Sequence, residues 1–233
     1  MEPNPDAPGR AGFGRRLLLL FTAPGALGDR LRVRPVWWDV LLLGGLLAAL
    51  SNLAIPAEVW AEFMRTQALA TGGTALPPDS PMASGQIVRI AGSIGAPIFW
   101  TVFMAVSAGL MALIFAFILG DEGRFTQYFS ATAHASVITG IGLILISPLR
   151  IAREDPQLTL SVGTFLQGAL GEGYLATFAR ALDLFAVWAW ITMGVLYSRF
   201  DERRSAGSAV GIVVVASAAV LAVIAWFQHR ALS

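Results

Sequence analysis

The sequence predicts an all-α membrane protein: a bundle of five transmembrane helices with short amphipathic surface or re-entrant helices in the outer loops. Three observations carry that reading. Hydrophobic residues fill 56% of the 233 positions and charged residues only 13%, the composition of a chain that lives in lipid. Apolar runs long enough to cross a bilayer recur along the chain, separated by short polar loops. The stretch from Tyr174 to Ser198 is hydrophobic all round, unlike the one-sided helix of a soluble protein. As one helix it would be ~37 Å long, enough to cross a hydrocarbon core of ~30 Å.

Residues 1–16, rich in Pro, Gly and Arg, read as a disordered cytoplasmic tail, and residues 17–233 as a single integral membrane domain. Arg15-Arg16 followed by Leu17 to Phe21 has the outline of a signal peptide. Its apolar run is shorter than the ~7–15 residues such a segment needs, and Pro24-Gly25 interrupts it. A helix on the membrane surface fits better, with Leu27, Leu31 and Val33 alternating with Arg30, Arg32 and Arg34.

The first span covers about 36–55. Pro35 suits its first turn, Trp37 and Trp38 an interfacial belt, and Asp39 the positive end of the helix dipole. From Ala57 to Ala70, Glu58, Glu62 and Arg65 recur at helical spacing opposite Val59, Trp60 and Phe63, which predicts an amphipathic helix lying on the outer surface. The second span is placed at about 98–119, because Gly92, Gly95 and Pro97 predict irregular or closely packed backbone before it. The third, about 127–147, carries His134 and stops before Pro148. Residues 158–170 are too short and too rich in Gly to cross, so they form a surface or re-entrant helix. Spans at about 176–198 and 209–227 complete the bundle.

Five crossings put the termini on opposite sides. With the N-terminus inside, ten Arg lie in inner segments and six in outer ones, which favours a cytoplasmic N-terminus and an external C-terminus. The place implied is the cell inner membrane.

Several chemistries are excluded or unsupported. With no Cys there are no thiolate metal sites, disulfides or cysteine nucleophiles. A net charge of +1 gives no basis for binding nucleic acid. No His, Asp and Glu cluster has metal-ligand spacing, and no cofactor is expected. Gly92-Ser93-Ile-Gly95 is one residue short of a nucleophile elbow and lacks its strand-turn-helix setting. An enzyme is therefore not expected.

The residue that stands out is Asp183, a carboxylate inside an apolar span, where insertion costs roughly 2.5–3.5 kcal/mol at mid-membrane. Two readings are open. Asp183 binds a partner helix, a lipid headgroup or a cation; or Arg180, three residues earlier, pairs with it and reaches the interface. On one helix Asp183, Val187, Trp190, Gly194 and Tyr197 would share the face turned into the bundle, with Leu184, Ile191 and Val195 nearer lipid. His134 is read either as a proton relay or as a hydrogen-bonding group between helices.

The segment Leu182-Asp183-Leu184-Phe185-Ala186-Val187-Trp188 also carries a resemblance. Together with Phe21-Thr-Ala-Pro24, Arg34-Pro-Val-Trp37-Trp38 and the loop Gly120-Asp-Glu-Gly-Arg-Phe125, it resembles the Yip family, the Ypt/Rab-interacting membrane proteins, in a bacterial form. The resemblance extends from about Phe21 to Arg199. It implies five spans, a cytoplasmic N-terminus and a protein that acts by association rather than catalysis. Its partners would be membrane lipids and other membrane proteins or a second copy, with Asp183, Phe185 and Trp188 in the motif. The Asp-Leu-Tyr-Gly-Pro motif of the eukaryotic members is absent, so Rab binding is not implied. The alternative is a small permease or lipid-handling protein that uses Asp183 and broken helices around a cavity.

Overall fold

The computed structural model describes residues 11–70, 77, 84–166, 169, 171 and 173–232. The expected tail 1–16 falls largely outside these. The described residues are helical, and the one extended pairing among them is an isolated antiparallel bridge between Ser161 and Asp183. In chain order the helices are α1 (Phe13–Thr22), α2 (Pro24–Val33), α3 (Trp38–Ala54), α4 (Ala57–Ala70) and α5 (Gln86–Ala112), which continues as a π-helical turn (Leu113–Ile118). They are followed by α6 (Phe125–Ala152), α7 (Val162–Phe165), α8 (Tyr174–Ala181), α9 (Leu184–Tyr197) and α10 (Ala206–Leu232).

Three of these elements are apolar and long enough to cross a membrane: Gln86–Ile118, Phe125–Ala152 and Ala206–Arg230. A fourth is added if α3 and α4, bent by 86° at their junction, count as one span. That bend agrees with the sequence in one respect. Glu58, Glu62 and Arg65 lie on the exposed side of α4 and Val59 on its buried side.

Three expectations need correction. The backbone from Gly92 to Pro97 is not irregular, because α5 begins at Gln86 and runs through Pro97. A proline is tolerated inside a long apolar helix where neighbouring backbone packs closely. Here Gly45 leaves that room: a Cβ there would stand 3.1 Å from the Pro97 Cα. Nor does Pro148 end α6, which continues to Ala152. Largest in consequence, the expected span 176–198 is two helices, α8 and α9, with Leu182 and Asp183 in the break.

The chain divides into two compact units, and the division passes through α3, α5, α6 and α10 and after the first residue of α9. The first unit takes Met1–Gly44, Thr101–Thr139 and Phe185–Leu221. It buries Leu20, Leu27, Leu31 and Val40 together with an aromatic cluster of Phe115, Tyr128, Tyr197 and Phe200. Phe115 lies in the π-helical turn, where the widened helix ends on two backbone bonds, from Leu119 to Ile114 O and from Asp121 to Phe115 O. Tyr128 and Tyr197 meet edge to face at 5.0 Å, and Phe115 and Tyr197 at 5.4 Å. Each such pair contributes about 0.5–1.5 kcal/mol beyond its buried area.

The second unit takes Gly45–Trp100, Gly140–Leu184 and Ala222–Ser233. Its core is thinner in large side chains, with Ile55, Val59, Ile146, Ala176 and Ala179 buried. Close backbone approach does more of the packing here. Gly163 in α7 lies so near the backbone of Ala179 and Arg180 in α8 that a Cβ would collide with the Arg180 amide nitrogen.

Candidate functional site

The break at Asp183 is built by hydrogen bonding in the second unit. Leu182 leaves the helix at φ −79°, ψ 79°, so the backbone around it needs partners outside α8 and α9. The segment before α7 supplies them. Val162 N–H donates to Leu182 O at 3.0 Å, and Leu184 N–H donates to Leu160 O at 3.0 Å. Ser161, opposite Asp183 in this bridge, is fully buried. An interrupted helix in apolar surroundings persists where other protein backbone satisfies the freed groups, and residues 160–162 do so here.

Arg150, near the end of α6, is the buried cation of this unit. Its Nε donates to Leu158 O at 2.8 Å and its Nη1 to Ser51 Oγ at 3.3 Å. Ser51 Oγ in turn donates to Leu143 O at 3.1 Å and lies 3.2 Å from Ser147 Oγ. The carboxylates acting on Arg150 are Asp155 and Asp183. Of the two, Asp155 acts on Arg150 more strongly than Asp183 does.

The expected ion pair with Arg180 does not form. α8 ends at Ala181, so the spacing of three residues no longer places Arg180 and Asp183 on one helical face. Arg180 is exposed and lines a groove of about 990 Å³ instead, with Phe63, Asp155, Thr159, Thr177 and Gln228 among the other lining residues. Its guanidinium has no ion-pair partner among the described residues. A smaller groove of about 460 Å³ is lined by Tyr174, Ala222, Val223, Trp226 and Phe227.

The other residues singled out by the sequence belong to the first unit, except Leu184, the last residue of the second. Phe185 is half-buried, and Trp188 is half-exposed with its ring edge-on to Phe21 at 5.8 Å. Gly194 and Tyr197 are buried, Gly194 against the backbone of Val210, and Leu184 and Ile191 are exposed. The inward face expected for this helix is thus present at Gly194 and Tyr197. Asp183 is not on it, because the helix begins one residue later.

His134 is fully buried, and its Nδ1 lies 2.8 Å from Ser130 O, one turn back on α6. A carbonyl only accepts, so Nδ1 carries the proton of the neutral ring and Nε2 is left as an acceptor. No donor among the described residues reaches Nε2. The charges felt at His134 are those of the Arg16–Asp39 ion pair, itself buried or nearly so. The hydrogen bond to Ser130 O runs within α6, so of the two readings this geometry shows neither a relay nor a bridge to another helix.

Sequence reasoning missed how two loops of the first unit are held. Arg204 forms a two-pronged ion pair with buried Asp121, at 3.0 Å from Nε and 2.5 Å from Nη2. Asp201, also buried, accepts from Arg203 Nη2 at 2.7 Å and from the Glu122 amide at 3.0 Å. Arg203 Nη2 in addition donates to Gly120 O at 2.8 Å. These bonds, those from Arg203 first, hold the Asp201 carboxyl well below the usual carboxylate range. The only signal in the sequence was opposite charge in the two short loops, Asp121-Glu122 and Arg203-Arg204. Arg150 had a weaker one, a single cation two residues beyond Pro148, where a helix end was expected.

Comparison of the chain with family models, with curated proteins and with solved structures finds no match.

Proposed function

We propose that the chain is an integral membrane protein of the Yip-like kind that acts by association with other membrane components. In this reading it crosses the inner membrane five times, N-terminus inside. The observation that carries it is the exposure of two of its long apolar helices. Only 22% of the most apolar window of α5 and its π-helical extension is buried within the chain, and only 11% of that of α10. Ile98, Phe99, Val102 and Val106 form part of this outward surface on α5, and Val215 and Val223 on α10. Apolar faces of this extent call for lipid or for the helices of a partner. The fifth crossing in this reading is α9, about 21 Å long at 1.5 Å per residue.

The test is photocrosslinking in native membranes from residues introduced at Phe99, Phe117 and Val215. The expected outcome is a discrete protein adduct from at least one position, either to a second copy or to another membrane protein. Lipid adducts alone at every position would sink association as the mode of action.

A second reading, a lipid-handling protein or small permease, is favoured by one observation: the groove lined by Arg180 lies in the unit that holds the broken helix. Flux or lipid exchange in liposomes, lost on Asp183→Asn while reconstitution is unchanged, would select it.

A further inference from the structure

We infer that the groove lined by Arg180 in the second unit is a binding site for the headgroup of an anionic, hydroxyl-bearing phospholipid such as a phosphatidylglycerol. The inference rests on the membrane reading above and adds to it a ligand class. Its first support is charge. Among the described residues Arg180 is the one lining cation, it is exposed, and it has no ion-pair partner. The lining carboxylate, Asp155, acts on buried Arg150, and its Oδ1 accepts from Gln157 N–H at 2.9 Å. The groove thus offers an uncommitted guanidinium, whose forked donors match the oxygens of a phosphate.

The hydroxyls give the second support. Thr159 Oγ1 donates to Arg180 O at 3.3 Å, Thr164 Oγ1 to Thr159 O at 2.9 Å and Thr177 Oγ1 to Gly173 O at 3.3 Å. Thr159 and Thr177 have given their protons to backbone carbonyls, so each presents an acceptor to the groove, whereas Thr164 Oγ1 already accepts from the lining Ser161 Oγ at 3.0 Å. A ligand that satisfies them must bring donors of its own as well as an anion. A phosphodiester carrying free hydroxyls has both. A choline headgroup has neither a net negative charge nor a hydroxyl.

The third support is the adjacent apolar surface. The polar groove and the smaller groove share two helices of this unit, α8 and α10. Tyr174, in the apolar groove, lies one turn before Thr177 in the polar one, and Phe227 immediately precedes Gln228. The same pair of helices therefore presents a site for a polar headgroup and, within a turn, an apolar site for part of an acyl chain. Its lining of Val223, Trp226 and Phe227 is of the kind that accepts one.

The experiment is native mass spectrometry of the full chain in detergent, titrated with phosphatidylglycerol, phosphatidic acid and phosphatidylcholine. Phosphatidylglycerol is expected to bind about tenfold more tightly than phosphatidylcholine, the size of one charge-assisted contact, with phosphatidic acid between them. Arg180→Gln should abolish the preference, whereas Arg153→Gln, an equal change of charge at an exposed position outside the lining, should retain it. Equal binding of phosphatidylglycerol and phosphatidylcholine overturns the inference, as does an equal loss in the two variants. Phosphatidic acid that binds as well as phosphatidylglycerol overturns the hydroxyl-bearing headgroup. Displacement of phosphatidylglycerol by equimolar glycerol phosphate would mark a site for a soluble anion and overturn the lipid. Partition of the chain into the aqueous phase on detergent phase separation would sink the membrane reading itself, a failure that none of the headgroup comparisons can mimic.

Discussion

The two units of the chain solve the same problem, polar groups in an apolar protein, in different ways. The first pairs full charges. Arg16 with Asp39, Arg203 with Asp201 and Arg204 with Asp121 are ion pairs in which at least one partner is buried. An aromatic cluster packs beside them, with the Arg204 guanidinium 5.9 Å above the Phe115 ring. The second uses single hydroxyls and backbone. Ser51 and Ser147 donate to Leu143 O, Arg150 donates to Leu158 O, and residues 160–162 share hydrogen bonds with 182–184. The difference teaches where each unit is able to change. The first unit meets its buried carboxylates Asp121 and Asp201 with arginines, whereas the second leaves Arg180 without an ion-pair partner among the described residues.

If that contrast is right, the largest loss of stability should follow from opening a charge pair in the first unit. Arg204→Leu leaves the Asp121 carboxylate buried without its counter-ion, and breaking a buried pair from one side costs about 3–5 kcal/mol. A thermal melt of the purified protein in detergent should register it as a drop in Tm of several degrees. A melt unchanged from wild type would show that the pair is solvated and the contrast false.

The second unit should yield to volume rather than to charge. Gly163→Ala forces a methyl group into the backbone of Ala179 and Arg180 and should cost about 1–3 kcal/mol, the range for overpacking. Hydrogen exchange should rise at the amides of Val162 and Leu184, which donate across the bridge. Unchanged protection there would mean that α7 and α8 move apart at little cost.

The smallest effect near neutrality is that of pH on Asp201. Its native pKa is depressed by Arg203 and the Glu122 amide, so its contribution is complete above the unfolded value of about 3.9 and disappears as pH falls through the lower native one. Protection of the Glu122 and Arg203 amides, both donors to Asp201, should therefore hold from pH 7 to pH 4 and fail only in stronger acid. Loss of half of that protection already by pH 4 would show that the carboxylate titrates normally.

Much of the chain was legible in its residues for a physical reason: lipid-length apolar runs report themselves through composition alone. The helices at 38–54, 125–152 and 206–232 all follow from such runs, and α4 follows from the spacing of Glu58, Glu62 and Arg65. Helix continuity was not legible. Pro97 and Pro148 have the local signature of helix ends, yet both lie inside helices, because a long apolar helix tolerates a missing N–H where packing supports it. Leu182-Asp183 has no breaker at all, yet the helix breaks there, because residues 160–162 offer its backbone better partners than the next turn does.

The candidate site divides along the same line. Composition marked Asp183 as costly in an apolar run, and that judgement needs only the sequence. Its counter-charge was decided by tertiary structure. Local spacing pointed to Arg180, but the break removes the helical register on which that pairing depends, and brings Asp183 within the electrostatic reach of Arg150, thirty-three positions away. The same break turns Arg180 from one half of an ion pair into the uncommitted cation of a groove. A sequence states what each residue can do within a few neighbours. Which partner it meets depends on where distant backbone arrives, and no periodicity in the chain encodes that.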